Sequence, residues 1–313
     1  MTLRLIAVVL IVPLASCVPG AAFSEGPPSS PLQVVVSIPP QAYLAERIGG
    51  ESVQVQVLLA AGQEPHTFEP TPKQVMALGR ADLYLLVGTL PFETRIAKKL
   101  RDARPGLAVV NTSRGVTLRE LEEHGHHGAA EDEGREAGEH RVDPHIWLGP
   151  QEIAVQARNI AAALTTASPA HAEGYAANLR AFEKDLGAVD ARLRKALLPC
   201  KGKTVFVFHP AFGYFLNTYQ IEERPVEIHG KSPTPKQLRR LIHEAKEEGV
   251  KVLFVQPQFD KKSAEAVAKA IGGAVVPMDP LARDVLSSLD AIAAGVMHAI
   301  GSPDLELPAG LSP

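Results

Sequence analysis

Along most of this chain short apolar runs alternate with amphipathic segments. Gln33 to Ile38, Val53 to Leu59, Leu83 to Val87 and Leu107 to Val110 are brief, rich in Val and Leu, and bounded by polar residues or turn formers, which predicts strands. Between and after them, Gln41 to Ile48, Pro72 to Leu78, Phe92 to Leu100 and Gln151 to Leu164 read as helices. Strands alternating with helices argue for βαβ units around a parallel sheet, and four of them make one compact lobe over residues 32–167. Ser168-Pro169 then reads as an N-cap followed by proline at the first helical position. Tyr175, Leu179, Phe182, Leu186, Val189, Leu193 and Leu197 recur every three or four residues, with no internal proline before Pro199. That spacing predicts one helix over residues 168–198, roughly 30 residues and about 45 Å long, a spine between two lobes. The alternation resumes over residues 199–313. Strands are expected at Thr204 to Phe208, Val226 to Ile228, Lys251 to Val255 and Ala274 to Pro277, with helices at Phe212 to Tyr219, Pro235 to Glu248, Lys261 to Ile271 and Asp284 to Ile300. Thr71-Pro72 and Thr234-Pro235 are matched helix starts in the two halves.

Composition adds limits and an address. At 313 residues and 45% hydrophobic content, the chain can fill two cores. A formal net charge of -3 and 5% aromatic content offer neither a basic field for phosphates nor stacking surface for bases, so nucleic acid is excluded as a partner. Arg4 precedes an apolar run from Leu5 to Ala15, too short to span a bilayer, and residues 1–17 form a signal peptide pattern. Its end, Leu14-Ala15-Ser16-Cys17, looks like a bacterial lipobox, in which Cys17 is acylated and becomes the mature N-terminus. Residues 18–31 then form a Gly-, Ser- and Pro-containing tether, and the expected location is the periplasm or the outer face of the cell membrane, lipid-anchored. With Cys17 lipidated only Cys200 remains, which removes both a disulfide framework and a cysteine zinc site.

The candidate chemistry lies at strand ends. In open α/β sheets ligands sit outside the carboxyl ends of the strands. Strand Val53 to Leu59 runs into a loop ending at His66, strand Thr204 to Phe208 runs directly into His209, and strand Ala274 to Pro277 runs into Met278-Asp279-Pro280. His145 lies just before the helix that begins near Gln151. Three imidazoles and a carboxylate suit a tetrahedral Zn²⁺ site, with nitrogens at roughly 2.0–2.1 Å.

The strings around these residues are more specific: Glu64-Pro65-His66-Thr67-Phe68-Glu69-Pro70, Asp143-Pro144-His145-Ile146-Trp147-Leu148, and Phe208-His209-Pro210-Ala211-Phe212-Gly213-Tyr214-Phe215. Together, and with Gly230 to Pro235 and Gln256 to Phe259, they resemble the cluster A-I metal-binding proteins of bacterial ABC importers, the ZnuA-like zinc-uptake family. The resemblance runs from about Leu32 to Ile300. It implies two (β/α)4 lobes with parallel sheets joined by a rigid helix, and a metal site at their interface. It also implies His66, His145, His209 and Asp279 as ligand positions, the fourth being supplied in zinc members by the Asp, a water or another carboxylate. Manganese members carry Glu where this chain has His209, and nitrogen ligation favours zinc over Mn²⁺; Mn²⁺ and Fe²⁺ stay open. Glu64 and Asp143, next to ligating histidines, orient them or offer an alternative oxygen, the simpler reading being turn caps. Gln256 stands where many relatives have Glu and is not taken as a ligand.

Residues 122–141 hold His124, His126, His127 and His140 among acidic residues with no apolar periodicity, a disordered loop. Relatives carry a His- and acid-rich loop here, which implies weak metal collection; a plain solvated loop fits as well. His171, His229, His243 and His298 are surface or structural. The expectation is a non-enzymatic, monomeric receptor that captures Zn²⁺ and passes it to the membrane subunit of an ABC permease. Rivals are a zinc hydrolase, for which no His-Glu-x-x-His helix is present, and a surface adhesin, a role attributed to lipoproteins of this family.

Overall fold

In the computed structural model of the chain the described residues are 30–121, 142–227, 234–259 and 261–300. The first half runs β1 (Leu32–Val36), α1 (Pro39–Gly49), β2 (Val53–Val57), α2 (Pro72–Leu78), β3 (Leu83–Leu86), α3 (Pro91–Ala103), β4 (Ala108–Asn111) and α4 (Pro150–Ala167). After α5 (Ala172–Ala196) the second half runs β5 (Thr204–Val207), α6 (Gly213–Thr218), β6 (Glu222–Pro225), α7 (Pro235–Glu247), β7 (Val252–Val255), α8 (Lys261–Ile271), β8 (Ala274–Pro277) and α9 (Val285–Ala299). The strands form two four-stranded parallel sheets, ordered β2-β1-β3-β4 and β6-β5-β7-β8. The two-lobe α/β architecture expected from the pattern is therefore present, with the same strand order in each half.

That order decides where ligands can sit. The first strand of each half is flanked by the second and third, so the connections diverge at its carboxyl end and leave a crevice there. Helices cover the sheets, which is why the central strands read as continuous apolar runs: Val252, Leu253, Phe254 and Val255 of β7 are all buried. Helices α2 and α7 start alike. Thr71 N–H donates to Gln74 Oε1 at 2.7 Å and Thr234 N–H to Gln237 Oε1 at 2.8 Å, while each threonine hydroxyl accepts from the backbone N–H of its glutamine at 3.4 Å. These are reciprocal capping boxes.

Two elements depart from the sequence reading. The spine is shorter: α5 has 25 residues, about 37 Å of helix, with 3₁₀ turns at Pro169–His171 and Leu198–Cys200 on either side. Ser168 is not its cap; the hydroxyl instead pairs with His171 Nδ1 at 2.9 Å. Strand β6 lies at Glu222–Pro225, not at Val226 to Ile228. It is an edge strand, so Glu222 and Arg224 can face water and Pro225 is tolerated, which hid it from an apolar search. The ladder continues beyond it, Val226 N–H donating to Val207 O at 2.8 Å and Glu227 N–H to Phe208 O at 2.9 Å.

Helix α5 buries Tyr175, Phe182, Leu186, Val189 and Leu193, and packs on α1 and α4 of the first half and α9 of the second. One hydrophobic core consequently contains Val34 and Leu85 from the first sheet together with Val207 and Phe254 from the second. Ion pairs follow the seam: Arg192 holds both carboxylate oxygens of Asp290 at 2.7 and 2.6 Å, and Arg283 reaches Glu46 at 2.6 Å. Among the described residues no helix is long and apolar enough to cross a membrane.

Candidate metal centre

His66 is placed by the loop after β2. Glu64, two residues earlier, turns back so that Oε1 accepts from His66 N–H at 2.8 Å and Oε2 from Thr67 N–H at 2.7 Å. The carboxylate thereby caps the turn that presents the imidazole. Phe68, buried against Phe92 with ring centroids 4.9 Å apart, anchors the far side of the loop.

His145 sits between Asp143 and the 3₁₀ turn Ile146–Leu148 that leads into α4. Oδ1 of the fully buried Asp143 accepts from His145 N–H at 3.0 Å and pairs with the ring Nδ1 at 2.7 Å, while Arg119 Nη1 donates to Oδ2 at 2.8 Å. Burial raises the Asp143 pKa, but the bonds from His145 and the Arg119 charge outweigh it and hold the carboxyl below its ordinary value. An ionised carboxylate only accepts, so Nδ1 of His145 carries the proton and Nε2 keeps its lone pair. Burial in turn holds the His145 pKa below its ordinary value despite the opposing pull of Asp143, which keeps the ring neutral. The second half braces this loop: Tyr214 of α6 donates to Asp143 O at 3.1 Å, and Trp147 Nε1–H donates to Pro280 O at 2.7 Å.

His209 lies just past β5, at the divergence between β6 and β7. Gln256, fully buried after β7, brackets its peptide, with Nε2 donating to His209 O at 2.6 Å and Oε1 accepting from His209 N–H at 3.3 Å. Glu227 Oε2 pairs with the ring Nδ1 at 2.9 Å, again directing the proton to that nitrogen and the lone pair to Nε2. Phe259 stacks on the imidazole, centroids 4.7 Å apart and planes at 24°.

The three rings meet. Their centroids are 5.3 Å apart for His66 and His145, 5.1 Å for His66 and His209, and 5.4 Å for His145 and His209. One ligating nitrogen from each lies within 4.8 Å of the others. Around a shared tetrahedral ion those nitrogens would be roughly 3.3 Å apart, so a small inward movement of the rings completes the cluster. They line a partly open cavity of about 10 Å³, together with Trp147, Gln258, Phe259 and Leu281. That is room for about one water-sized particle.

The structure brings the three histidines together and leaves Asp279 outside the group. Asp279 is exposed, and its Oδ1 accepts from Gln258 Nε2 at 2.8 Å and Leu281 N–H at 2.9 Å. Glu64 lines the cavity with Oε1 3.8 Å from His66 Nε2, in addition to capping the turn. His124, His126, His127, His140 and Cys17 lie outside the described residues. His243 is exposed and 3.4 Å from Glu247, one turn along α7. Glu227 was not singled out from the sequence. Its signal was a lone carboxylate between Val226 and Ile228, in the stretch that pairs alongside the end of β5.

The chain is similar in sequence and fold to known metal-binding proteins. Residues 34–289 match the model of the ZnuA family, described as zinc-uptake complex component A, periplasmic. The chain is 30% identical over 81% of its length to the high-affinity zinc uptake system protein ZnuA of Bacillus subtilis, covering 78% of that protein. It is 28% identical over 90% of its length to the iron-binding protein YfeA of Yersinia pestis, covering 89% of it. A crystal structure of ZnuA superposes with a TM-score of 0.78 at 36% identity, covering 87% of this chain and all of that one.

Proposed function

The chain belongs to the ZnuA family of periplasmic metal-binding proteins, and from that premise we propose that it captures Zn²⁺ outside the cytoplasmic membrane and delivers it to an ABC permease. The observation that carries this reading is the convergence of His66, His145 and His209, from both halves, on a cavity of about 10 Å³. A cavity that size suits a bare ion and is far too small for an organic substrate, which supports a receptor over a hydrolase. The donor set supports zinc: borderline-soft imidazole nitrogens suit Zn²⁺, whereas Mn²⁺ prefers oxygen. Fe²⁺ is the second reading, favoured by the likeness to the iron-binding relative. In this account Cys17 carries the lipid that holds the receptor at the membrane surface, within reach of the permease.

The test is competition. The purified chain, dialysed against equal concentrations of Zn²⁺, Mn²⁺ and Fe²⁺ without oxygen, is analysed for bound metal beside His209→Ala. The account expects a single zinc per wild-type chain and its loss from the variant. Preferential retention of iron or manganese would refute the zinc assignment, and an unchanged zinc content in His209→Ala would refute the site.

A further inference from the structure

Three imidazoles leave one position of a tetrahedral ion to be filled, and Gln258 lines the same cavity with an oxygen that is not engaged elsewhere among the described residues, whereas both oxygens of Glu64 already accept from the backbone of His66 and Thr67. Gln258 lies in the turn after β7, where Phe259 N–H donates to Gln256 O at 3.1 Å, and its side chain lines the histidine cavity. The orientation of its amide is fixed by Asp279. A carboxylate oxygen that already accepts from Leu281 N–H can only accept from Gln258, so the amino group must face Asp279, at 2.8 Å. The carbonyl Oε1 is then left buried, with no hydrogen-bond partner among the described residues. A buried amide oxygen without a partner is costly, and a side chain that keeps one beside three converging imidazoles has a use for it. Nε2 of His209, on the same cavity, is likewise buried without a partner.

We propose that the carbonyl oxygen of Gln258, and not the carboxylate of Asp279, is the oxygen donor that completes coordination of the ion. This rests on the metal-binding reading above. Asp279 acts through Gln258, holding its amino group so that the carbonyl is presented to the ion. The chemistry suits cargo. Three neutral imidazoles and a neutral amide oxygen leave the double charge of the ion uncompensated by its direct ligands, with Asp143 and Glu227 balancing it from behind the rings. A site of that kind binds less tightly than one with a carboxylate in direct contact, which favours release to a permease.

The test uses the full chain, competitive Zn²⁺ titration against a chromophoric chelator, and the visible absorption of the Co²⁺-loaded protein. Gln258→Leu is expected to lower zinc affinity about 10- to 100-fold and to shift the cobalt bands, whereas Asp279→Ala, at an exposed position where water can take the place of the carboxylate on the amide, is expected to cost less and to leave the cobalt bands in place. Gln258→Glu, which keeps an oxygen in place, is expected to bind at least as tightly as the unaltered chain, and it carries the test alone if the leucine variant does not fold. The proposal is overturned if Gln258→Leu leaves affinity and cobalt spectrum unchanged, if Asp279→Ala costs as much as Gln258→Leu, or if Gln258→Glu binds more weakly. An unaltered chain that takes up neither Zn²⁺ nor Co²⁺ would instead remove the metal-binding reading itself.

Discussion

Replacing Glu227 by alanine separates the metal-orienting machinery from the fold that carries it. The carboxylate lies 2.9 Å from His209 Nδ1, with only 6% of the Glu227 side chain and 12% of the His209 side chain exposed. Water therefore has little access to stand in for the missing oxygen. The backbone of Glu227 contributes separately, through its N–H to Phe208 O at 2.9 Å, and alanine preserves that bond. Without the carboxylate the imidazole loses its fixed tautomer and orientation, and its Nε2 becomes a poorer donor. Loss of such a supporting group costs about 10- to 100-fold in metal affinity, or about 1.4–2.8 kcal/mol. Zinc affinity should therefore fall by that factor in a competition titration, while the metal-free variant melts within a few degrees of the unaltered chain. Glu227→Gln, which can still accept from Nδ1, should recover part of the loss. Zinc affinity of Glu227→Ala within about twofold of the unaltered chain would refute the reasoning, because a bond of this burial should not be dispensable.

Two further perturbations probe the frame around the site. Trp147→Phe removes the buried bond to Pro280 O that ties the His145 loop to the second half, and should cost about 1–3 kcal/mol, read as a lowered Tm by calorimetry; an unchanged Tm would mean the bond contributes nothing. Glu223, which accepts from Phe212 N–H at 2.8 Å, has its pKa raised from 4.5 to about 8, first by burial and then by the nearby charge of Asp143. A raised carboxyl pKa means that the folded state disfavours ionisation. Its penalty is absent below pH 4.5 and grows as pH rises toward about 8. Glu223→Gln should accordingly gain Tm relative to the unaltered chain between pH 5 and pH 8, and a Tm difference that is flat across that range would contradict the assignment.

Much of the fold was legible because parallel strands covered on both faces are written as dense apolar runs, as in Val252 to Val255. Strand β6 was misplaced because an edge strand is freed from that rule, and Glu222 and Arg224 carry no apolar signal. Pro169 and Pro199 each lie three residues outside the spine, within 3₁₀ turns at its ends that the spacing of apolar residues does not mark, because backbone geometry there is decided by local packing. The three histidines could be found one by one, each at a strand or loop end with a recognisable string. Their supports were harder to see. Asp143 stands two residues from His145 and was a natural partner, whereas Glu227 reaches His209 from 18 residues away through strand register. Asp279 stands after β8, where the family pattern marks a ligand position, and in the structure its Oδ1 accepts from Gln258 Nε2 and Leu281 N–H. Sequence spacing places a side chain at a strand end without saying which neighbour captures it first.

The most direct measurement is anomalous diffraction at the zinc absorption edge from crystals of the zinc-loaded chain. One peak is expected, roughly 2.0–2.1 Å from Nε2 of His145, Nε2 of His209 and one ring nitrogen of His66. A peak that lacks any one of these three histidines, or that lies elsewhere on the molecule, would contradict the account.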